Sequence, residues 1–158
     1  MGSEELLAGL RALGDGLAFN RHLGCTVTLL AVGRAETLLA ASEDLGNHVG
    51  GVHAIAELAP VELAGALAAA SRLAPVLERG YVPVVGELAA RYIAPARGEL
   101  RARAQVGPEA VEPALTALET GHRPRVEVDV EVEDAAGEVV VEARVTFVFV
   151  APEPEDGP

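Results

Sequence analysis

The sequence predicts an α+β domain in which a curved antiparallel sheet of about six strands wraps around one long central helix. Residues 53–72 are apolar on nearly every side, which is typical of a helix buried inside a domain. The segments that follow alternate apolar and charged residues, as strands with one buried and one exposed face do. A single apolar helix has to be covered on most sides, and a strongly curved sheet covers it most simply.

Length and composition narrow the class of protein. The chain has 158 residues, most simply one domain over residues 1–150 with an acidic, proline-rich and disordered tail at 151–158. Its net charge is −12, all 12 basic residues are arginines, and no arginine cluster lies near stacking aromatics, which argues against nucleic-acid binding. The acidic N-terminus and the short apolar runs predict neither a secretory signal nor a membrane span, so a cytoplasmic location is expected.

The first part of the chain predicts a helix and a hairpin. Leucines at helical spacing indicate a short amphipathic helix over residues 4–13. Strand-favouring residues at 25–32 and 35–42 flank a Gly-Arg turn, which indicates a β-hairpin. Cys25 is the only cysteine, so no intrachain disulfide can form, and we expect it to act as a small apolar residue.

The second half predicts four strands and a minor helix. Residues 81–93 and 99–106 each show one core face and one charged face. A proline at the start and a glycine at the end mark a surface helix over 108–120. Valines alternate with acids over 126–132, and residues 138–150 predict a long central strand.

Two carboxylates interrupt the apolar central segment. Glu57 and Glu62 lose hydration there, and only partners or a proton can replace it. They lie five residues apart, about 140° round a helix, so they form no same-face pair. We expect Glu57 to face solvent or an interface and take Glu62 as the first candidate for chemistry. The alternative is that Glu62 is a buried acid satisfied by backbone N–H groups or by Arg72.

A glycine-broken polar turn, NHVGGVHA at residues 47–54, leads into this helix. The start of a helix presents unpaired N–H groups and the positive end of its dipole, so the Ala54 N–H can stabilise the oxyanion that forms when a carbonyl is attacked. Pro60 removes one helical hydrogen bond. Either the helix kinks just before Glu62, or its regular part starts near Pro60.

The element order and the NHVGGVHA turn resemble the hotdog fold, and specifically the phenylacetyl-CoA thioesterase-like branch of acyl-CoA thioesterases. The turn is similar to the Asn-x-x-Gly-x-x-His-Gly loop of that family, whose catalytic Asp or Glu lies nine residues after the histidine. Glu62 lies nine residues after His53. The likeness spans residues 20–150. Some members have a polar residue one or more turns after the acid, where this chain has Ala66, Ala69 and Ala70.

The resemblance implies hydrolysis of an acyl-CoA thioester to the free acid and CoA, without a cofactor. Glu62 is then the general base or nucleophile, Asn47 orients water or substrate, His53 shapes the loop, and the Ala54 N–H binds the oxyanion. The substrate-binding candidates are Gly50, Gly51 and Arg97. The family also implies a homodimer or a dimer of dimers, with each site built across a subunit interface.

Other assignments stay open. Asn47 could merely cap the turn, and His53 could be a packed turn histidine. Arg101 and Arg103 are expected to form a solvated face rather than bind phosphate, and they could pair across strands with a set of acids, Glu127, Asp129 and Glu131.

The histidine spacings predict no metal site, and no glycine elbow surrounds a serine. The alternative function is a non-catalytic module that binds an acyl ligand or takes part in assembly. A hotdog hydratase is a third possibility, but the sequence has no Asp and His pair at the spacing that such enzymes use.

Overall fold

One antiparallel sheet curves around one long helix in the computed structural model, which describes residues 2–151. The strands are β1 Cys25–Ala31, β2 Arg34–Leu39, β3 Val82–Tyr92, β4 Leu100–Gln105, β5 Arg125–Glu133 and β6 Val139–Val150, in the order β1-β2-β4-β5-β6-β3. The helices are α1 Ser3–Gly16, α2 Ala18–Leu23, α3 Leu58–Arg72, α4 Ala74–Leu77 and α5 Pro108–Glu119. The predicted hotdog architecture is confirmed. The predicted tail lies outside the described residues except for Ala151, which is exposed.

The central helix α3 lies against β2 and β4 and reaches every other strand. Its small residues let the sheet approach closely: a Cβ placed on Gly65 would lie 2.9 Å from Cε2 of the buried Phe147. The Thr37 hydroxyl of β2 donates a 2.7 Å hydrogen bond to the carbonyl of Pro60, which ties the first turn of α3 to the sheet. Although α3 is strongly apolar, no helix within residues 2–151 combines the length and hydropathy needed to cross a bilayer.

The start of α3 differs from the prediction. Residues 53–57 form a separate turn, and the helix begins at Leu58 rather than at residue 53. Pro60 is therefore the third helical residue, where its missing N–H would have had no partner within the helix anyway. Of the two predicted outcomes, the late start is the correct one.

The N-terminal region is more helical than the sequence indicates. α1 continues past residue 13 to Gly16, and α2 was not predicted. Gly14 is buried, and a Cβ at this position would lie 3.2 Å from side-chain atoms of both Leu63 and Val27. This glycine therefore permits close packing of α1 on α3 and β1, instead of ending the helix.

The hairpin of β1 and β2 and the pairing of β4 with β5 are confirmed, but the two turn residues are Val32 and Gly33 rather than Gly33 and Arg34, because Arg34 already pairs with Ala31. The predicted partners of the arginines need one correction. Arg103 lies opposite Glu131 and forms ion pairs with Glu133 and Glu36, and Arg101 approaches Glu36 at 3.5 Å. Asp129 instead binds Arg144 of β6 at 2.7 Å, because β5 lies between β4 and β6. Glu127 lies opposite Thr146, away from both β4 arginines.

Strand β3 is an edge strand with apolar side chains exposed on both faces. The predicted core face at Leu88, Ala90 and Tyr92 is wrong within one chain, since Leu88 is half-buried and the other two are exposed. The large apolar residues exposed in β3 or directly after it are Val82, Val84, Val85, Tyr92 and Ile93, each at least 41% exposed. A long apolar edge of this kind is a template for pairing with another chain.

Candidate functional site

The glycine loop is held closed by the Asn47 carboxamide. Its Oδ1 accepts hydrogen bonds from the N–H groups of Val49, at 3.0 Å, and Gly51, at 2.9 Å. Its Nδ2 donates to the carbonyl of Val52 at 2.9 Å. One Nδ2 hydrogen remains for another acceptor. Asn47 thus caps the turn, which is the alternative that the sequence left open, and keeps one donor that can meet a ligand.

The loop packs on the segment between β3 and β4. The N–H of Val52 donates to the carbonyl of Ala96 at 2.9 Å, and a Cβ on Gly51 would come within 2.8 Å of that same oxygen. Gly50 has φ +78°, a left-handed conformation that favours glycine. Arg97 is exposed and donates to the carbonyl of Gly50 at 3.3 Å. The structure therefore brings Gly50, Gly51 and Arg97 together, beside a surface groove of about 490 Å³.

The turn over residues 53–57 connects the loop to α3. The N–H of Glu57 donates to the carbonyl of His53 at 3.1 Å, and the N–H of Ile55 donates to Nδ1 of the exposed His53 ring at 3.2 Å. His53 therefore shapes the turn through both its backbone and its ring. The ring nitrogen that accepts this bond carries no proton, so the neutral ring is protonated at Nε2.

The Ala54 amide is available to a ligand. Its N–H makes no hydrogen bond to any residue between 2 and 151, whereas its carbonyl accepts a 2.8 Å hydrogen bond from the hydroxyl of Tyr92. Tyr92 of β3 thereby anchors the next peptide unit, Ala54–Ile55, a role that sequence reasoning missed. The predicted oxyanion donor thus has the free N–H that such a role requires.

Glu62 is half-buried on the second turn of α3. Within the described part of the chain its carboxylate makes no hydrogen bond and no ion pair. The predicted alternative partner, Arg72, donates instead to the carbonyl of Val106 at 2.6 Å. Burial raises the pKa of Glu62. An unpaired, partly desolvated carboxylate is suited to accept a proton near neutral pH.

Glu62 and the Ala54 turn have neighbours at opposite edges of the sheet. The charge of Glu62, together with that of Asp15 at the end of α1, reinforces the rise in the pKa of buried Cys25 to about 12, most of which comes from burial. Glu62 is therefore near β1, whereas Tyr92, at the opposite edge of the sheet, binds Ala54. No hydrogen bond or ion pair within residues 2–151 joins Glu62 to the Ala54 turn.

Glu57 is buried within one chain, so the prediction that it faces solvent or an interface is wrong. Its side chain is 4% exposed, and Oε2 has no hydrogen-bond partner within residues 2–151. Burial raises the pKa of Glu57 to about 7. The sequence placed Glu57 inside a continuous helix, but the separate turn before Leu58 rotates it toward the interior beside Tyr92, whose pKa its charge helps to raise.

The burial of Glu57 predicts a pH-dependent stability. In the unfolded chain Glu57 ionises from about pH 4, whereas in the folded chain it keeps its proton until about pH 7. The contribution of Glu57 to the free energy of unfolding is therefore largest below the pKa of the unfolded chain. It falls as pH rises between the unfolded and the folded pKa and is constant above the folded pKa. Relative to Glu57→Gln, the wild type should lose about 2–3 kcal/mol of unfolding free energy between about pH 4 and pH 8.

Urea unfolding at fixed protein concentration over this pH range measures the difference. Glu127→Gln, which changes an exposed acid on β5, is the matched control and should follow the wild type. A difference between the wild type and Glu57→Gln that does not change with pH would contradict the prediction.

Comparison with known proteins places this chain in a family. The model of the DUF4442 family, described as a domain of unknown function, matches residues 11–149. The chain belongs to this family. No curated protein matches the DUF4442 chain. Within residues 2–151 it has no group of three or more His, Cys, Asp or Glu side chains that could hold a metal ion.

Solved structures resemble the DUF4442 chain over nearly its whole length. A Pseudomonas aeruginosa protein described as a probable thioesterase is 23% identical, with a TM-score of 0.77 over 92% of this chain and 95% of that one. A thioesterase from Haemophilus influenzae is 18% identical, with a TM-score of 0.70 over 96% and 94%. The PaaI protein of the E. coli phenylacetic acid degradation operon is 16% identical, with a TM-score of 0.72 over 94% and 96%. These likenesses establish the hotdog fold.

Proposed function

We infer that this protein hydrolyses an acyl-CoA thioester to the free acid and CoA. One observation carries the proposal: the unpaired, half-buried carboxylate of Glu62 stands on the same helix that begins just after the free N–H of Ala54. A base and an oxyanion donor are the two groups that thioester hydrolysis requires. The thioesterase names of structural relatives support the same reaction class.

In the proposed reaction Glu62 takes a proton from a water molecule, and the water oxygen attacks the thioester carbonyl carbon. The carbonyl oxygen becomes negative and accepts a hydrogen bond from the Ala54 N–H. Collapse of the tetrahedral intermediate breaks the carbon–sulfur bond, and the CoA sulfur leaves with the proton that Glu62 held. His53 holds the turn in shape, and the free Nδ2 hydrogen of Asn47 orients the water or the substrate.

The CoA portion of the substrate is proposed to lie along the glycine loop. Gly50 and Gly51 bring the backbone close to the surface there, and Arg97 supplies an exposed positive charge for a phosphate group. No cofactor takes part. In a chain of net charge −12, an arginine at the mouth of this groove also lowers the local repulsion of an anionic ligand.

The active protein is proposed to be a cytoplasmic homodimer or a dimer of dimers, with the β3 edges joined. The exposed apolar residues of β3 supply an interface, and pairing two edges satisfies the backbone groups that one chain leaves open. Because Glu62 lies toward β1 and Ala54 is bound from β3 at the opposite edge of the sheet, the proposed site combines Glu62 of one subunit with Ala54 of its partner.

A spectrophotometric assay with a thiol reagent tests the reaction. The panel contains short and medium straight-chain acyl-CoAs and phenylacetyl-CoA, the last because one structural relative comes from a phenylacetic acid operon. Wild-type protein should release CoA, and Glu62→Gln should reduce kcat/KM by about 10²–10⁴-fold, since a general base contributes that much. Glu127→Gln, an exposed acid changed in the same way, should leave the rate unchanged. Equal rates for the wild type and Glu62→Gln would reject the proposal.

A second candidate function is a non-catalytic module that binds an acyl ligand. It is favoured by the alanines at 66, 69 and 70, which offer no hydroxyl on the turns of α3 after Glu62. Tight binding of an acyl-CoA by calorimetry, without hydrolysis that depends on Glu62, would favour this candidate over the enzyme.

A further inference from the structure

Glu57 is a buried acid for which the proposed reaction has no use. Its Oε2 lacks a hydrogen-bond partner, and no cation within residues 2–151 forms an ion pair with it. The titratable residues around it are Tyr92, which faces it from β3, and His53, which lies one turn earlier and has an exposed ring. Glu62, on α3 itself, lies toward β1. None of these groups forms an ion pair or a hydrogen bond with the Glu57 carboxyl group within residues 2–151.

The position of Glu57 links it to the proposed oxyanion donor. Glu57 and Ala54 belong to the same turn, which the bond from the Glu57 N–H to the His53 carbonyl closes. Tyr92 is linked to both, because its hydroxyl binds the Ala54 carbonyl and the charge of Glu57 helps to raise its pKa. A negative charge on Glu57 would therefore lie within one helical turn of any oxyanion held by the Ala54 N–H.

We propose that Glu57 is a second acid of the hydrolytic site, a positioning residue that has to carry its proton for the reaction to proceed. The proposal rests on the proposed thioester hydrolysis and adds a condition to it. An ionised Glu57 would repel the developing oxyanion, whereas a neutral Glu57 leaves the Ala54 N–H dipole unopposed. At a separation of about 6 Å with an effective dielectric constant near 20, such repulsion slows the reaction by roughly 10–100-fold.

The pH dependence of kcat/KM, followed by the loss of thioester absorbance, distinguishes this role from a structural one. The wild type should lose activity by about 10–100-fold as pH rises from about 6 to 9, with a midpoint near the ionisation of Glu57. Glu57→Gln is neutral at every pH and should keep its activity over that range. Glu57→Leu, which is also neutral, provides a second variant if Gln does not fold.

Two further variants separate the possible sources of the alkaline decline. Tyr92→Phe removes the titratable group that faces Glu57 from β3, and the decline should persist in it. Glu62→Gln should be nearly inactive at every pH. If Glu57→Gln and Glu57→Leu decline with pH as the wild type does, or if either folds but is inactive at all pH values, the role of Glu57 is overturned while the hydrolysis stands. If the wild type shows no turnover that depends on Glu62, the proposed function itself fails.

Discussion

A mixture of two inactive variants, Glu62→Ala and Ala54→Pro, is expected to regain about a quarter of wild-type activity when their subunits are exchanged. Alone, Glu62→Ala should lose about 10²–10⁴-fold because the general base is gone. Ala54→Pro should lose about 10²–10³-fold because proline has no N–H to donate to the oxyanion. Recovery follows if each site takes Glu62 from one subunit and Ala54 from the other.

The arithmetic of the mixed dimer makes this test decisive. In a mixed dimer, one site contains both substitutions and the other contains neither, so one of its two sites works. About half of the dimers are mixed after random exchange, which gives about a quarter of all sites. If both groups came from the same subunit, every site would keep one defect, and the mixture would remain inactive.

Ala56→Pro is the matched control for the proline substitution. The Ala56 N–H also makes no hydrogen bond within residues 2–151, so proline there disturbs the same turn without removing the proposed donor. We expect Ala56→Pro to keep activity. An equal loss in both proline variants would show that the turn is damaged and that the Ala54 amide has no special part. Circular dichroism and size-exclusion chromatography confirm folding and dimerisation of each variant before the exchange.

Phe147→Ala is expected to reduce the unfolding free energy by about 3–5 kcal/mol. Phe147 is fully buried, and its ring lies against Gly65 at the centre of α3. Removing the ring leaves a cavity between the sheet and the helix, and the small residues of α3 cannot fill it. Urea unfolding measures the loss, and a value below 1 kcal/mol would mean that the interior relaxes around the cavity.

Gly65→Ala tests the same contact from the side of the helix. Its added Cβ would meet the Phe147 ring at 2.9 Å, and overpacking of this kind costs about 1–3 kcal/mol. In a Phe147→Leu background the cost of Gly65→Ala should shrink, because the smaller side chain leaves room. Gly9→Ala is the matched control: Gly9 lies exposed within α1 with open space around its Cα, so this change should stabilise the helix by up to about 1 kcal/mol.

The strands and the loop motif could be predicted because their signals are local. Alternation of valines with acids marks β5, and the spacing from His53 to Glu62 singled out both residues without any structure. Two features depend on longer-range contacts. The start of α3 is set by bonds of the loop and of the turn before it, although alanine-rich residues 53–57 look helical by themselves. That late start also determines the burial of Glu57.

The exposure of β3 shows a second reason for an incorrect prediction. Its alternation of apolar residues predicts a core face, but an apolar face can equally be buried by another copy of the chain. The alternation alone does not say whether the apolar face is buried within the chain or by another molecule. For Tyr92, nothing in the sequence indicated that its hydroxyl binds Ala54, because the two residues are 38 positions apart.

The three hydrogen bonds of the Asn47 side chain have a consequence for ligand discrimination. A loop already fixed in this way gives up little conformational freedom when a ligand docks on it, so its amides are preorganised before any encounter. Every acyl-CoA would then bind with its thioester against the same rigid loop. Preference among substrates would arise at the far end of the acyl group, where the walls differ in shape, rather than from a loop that adapts to each one.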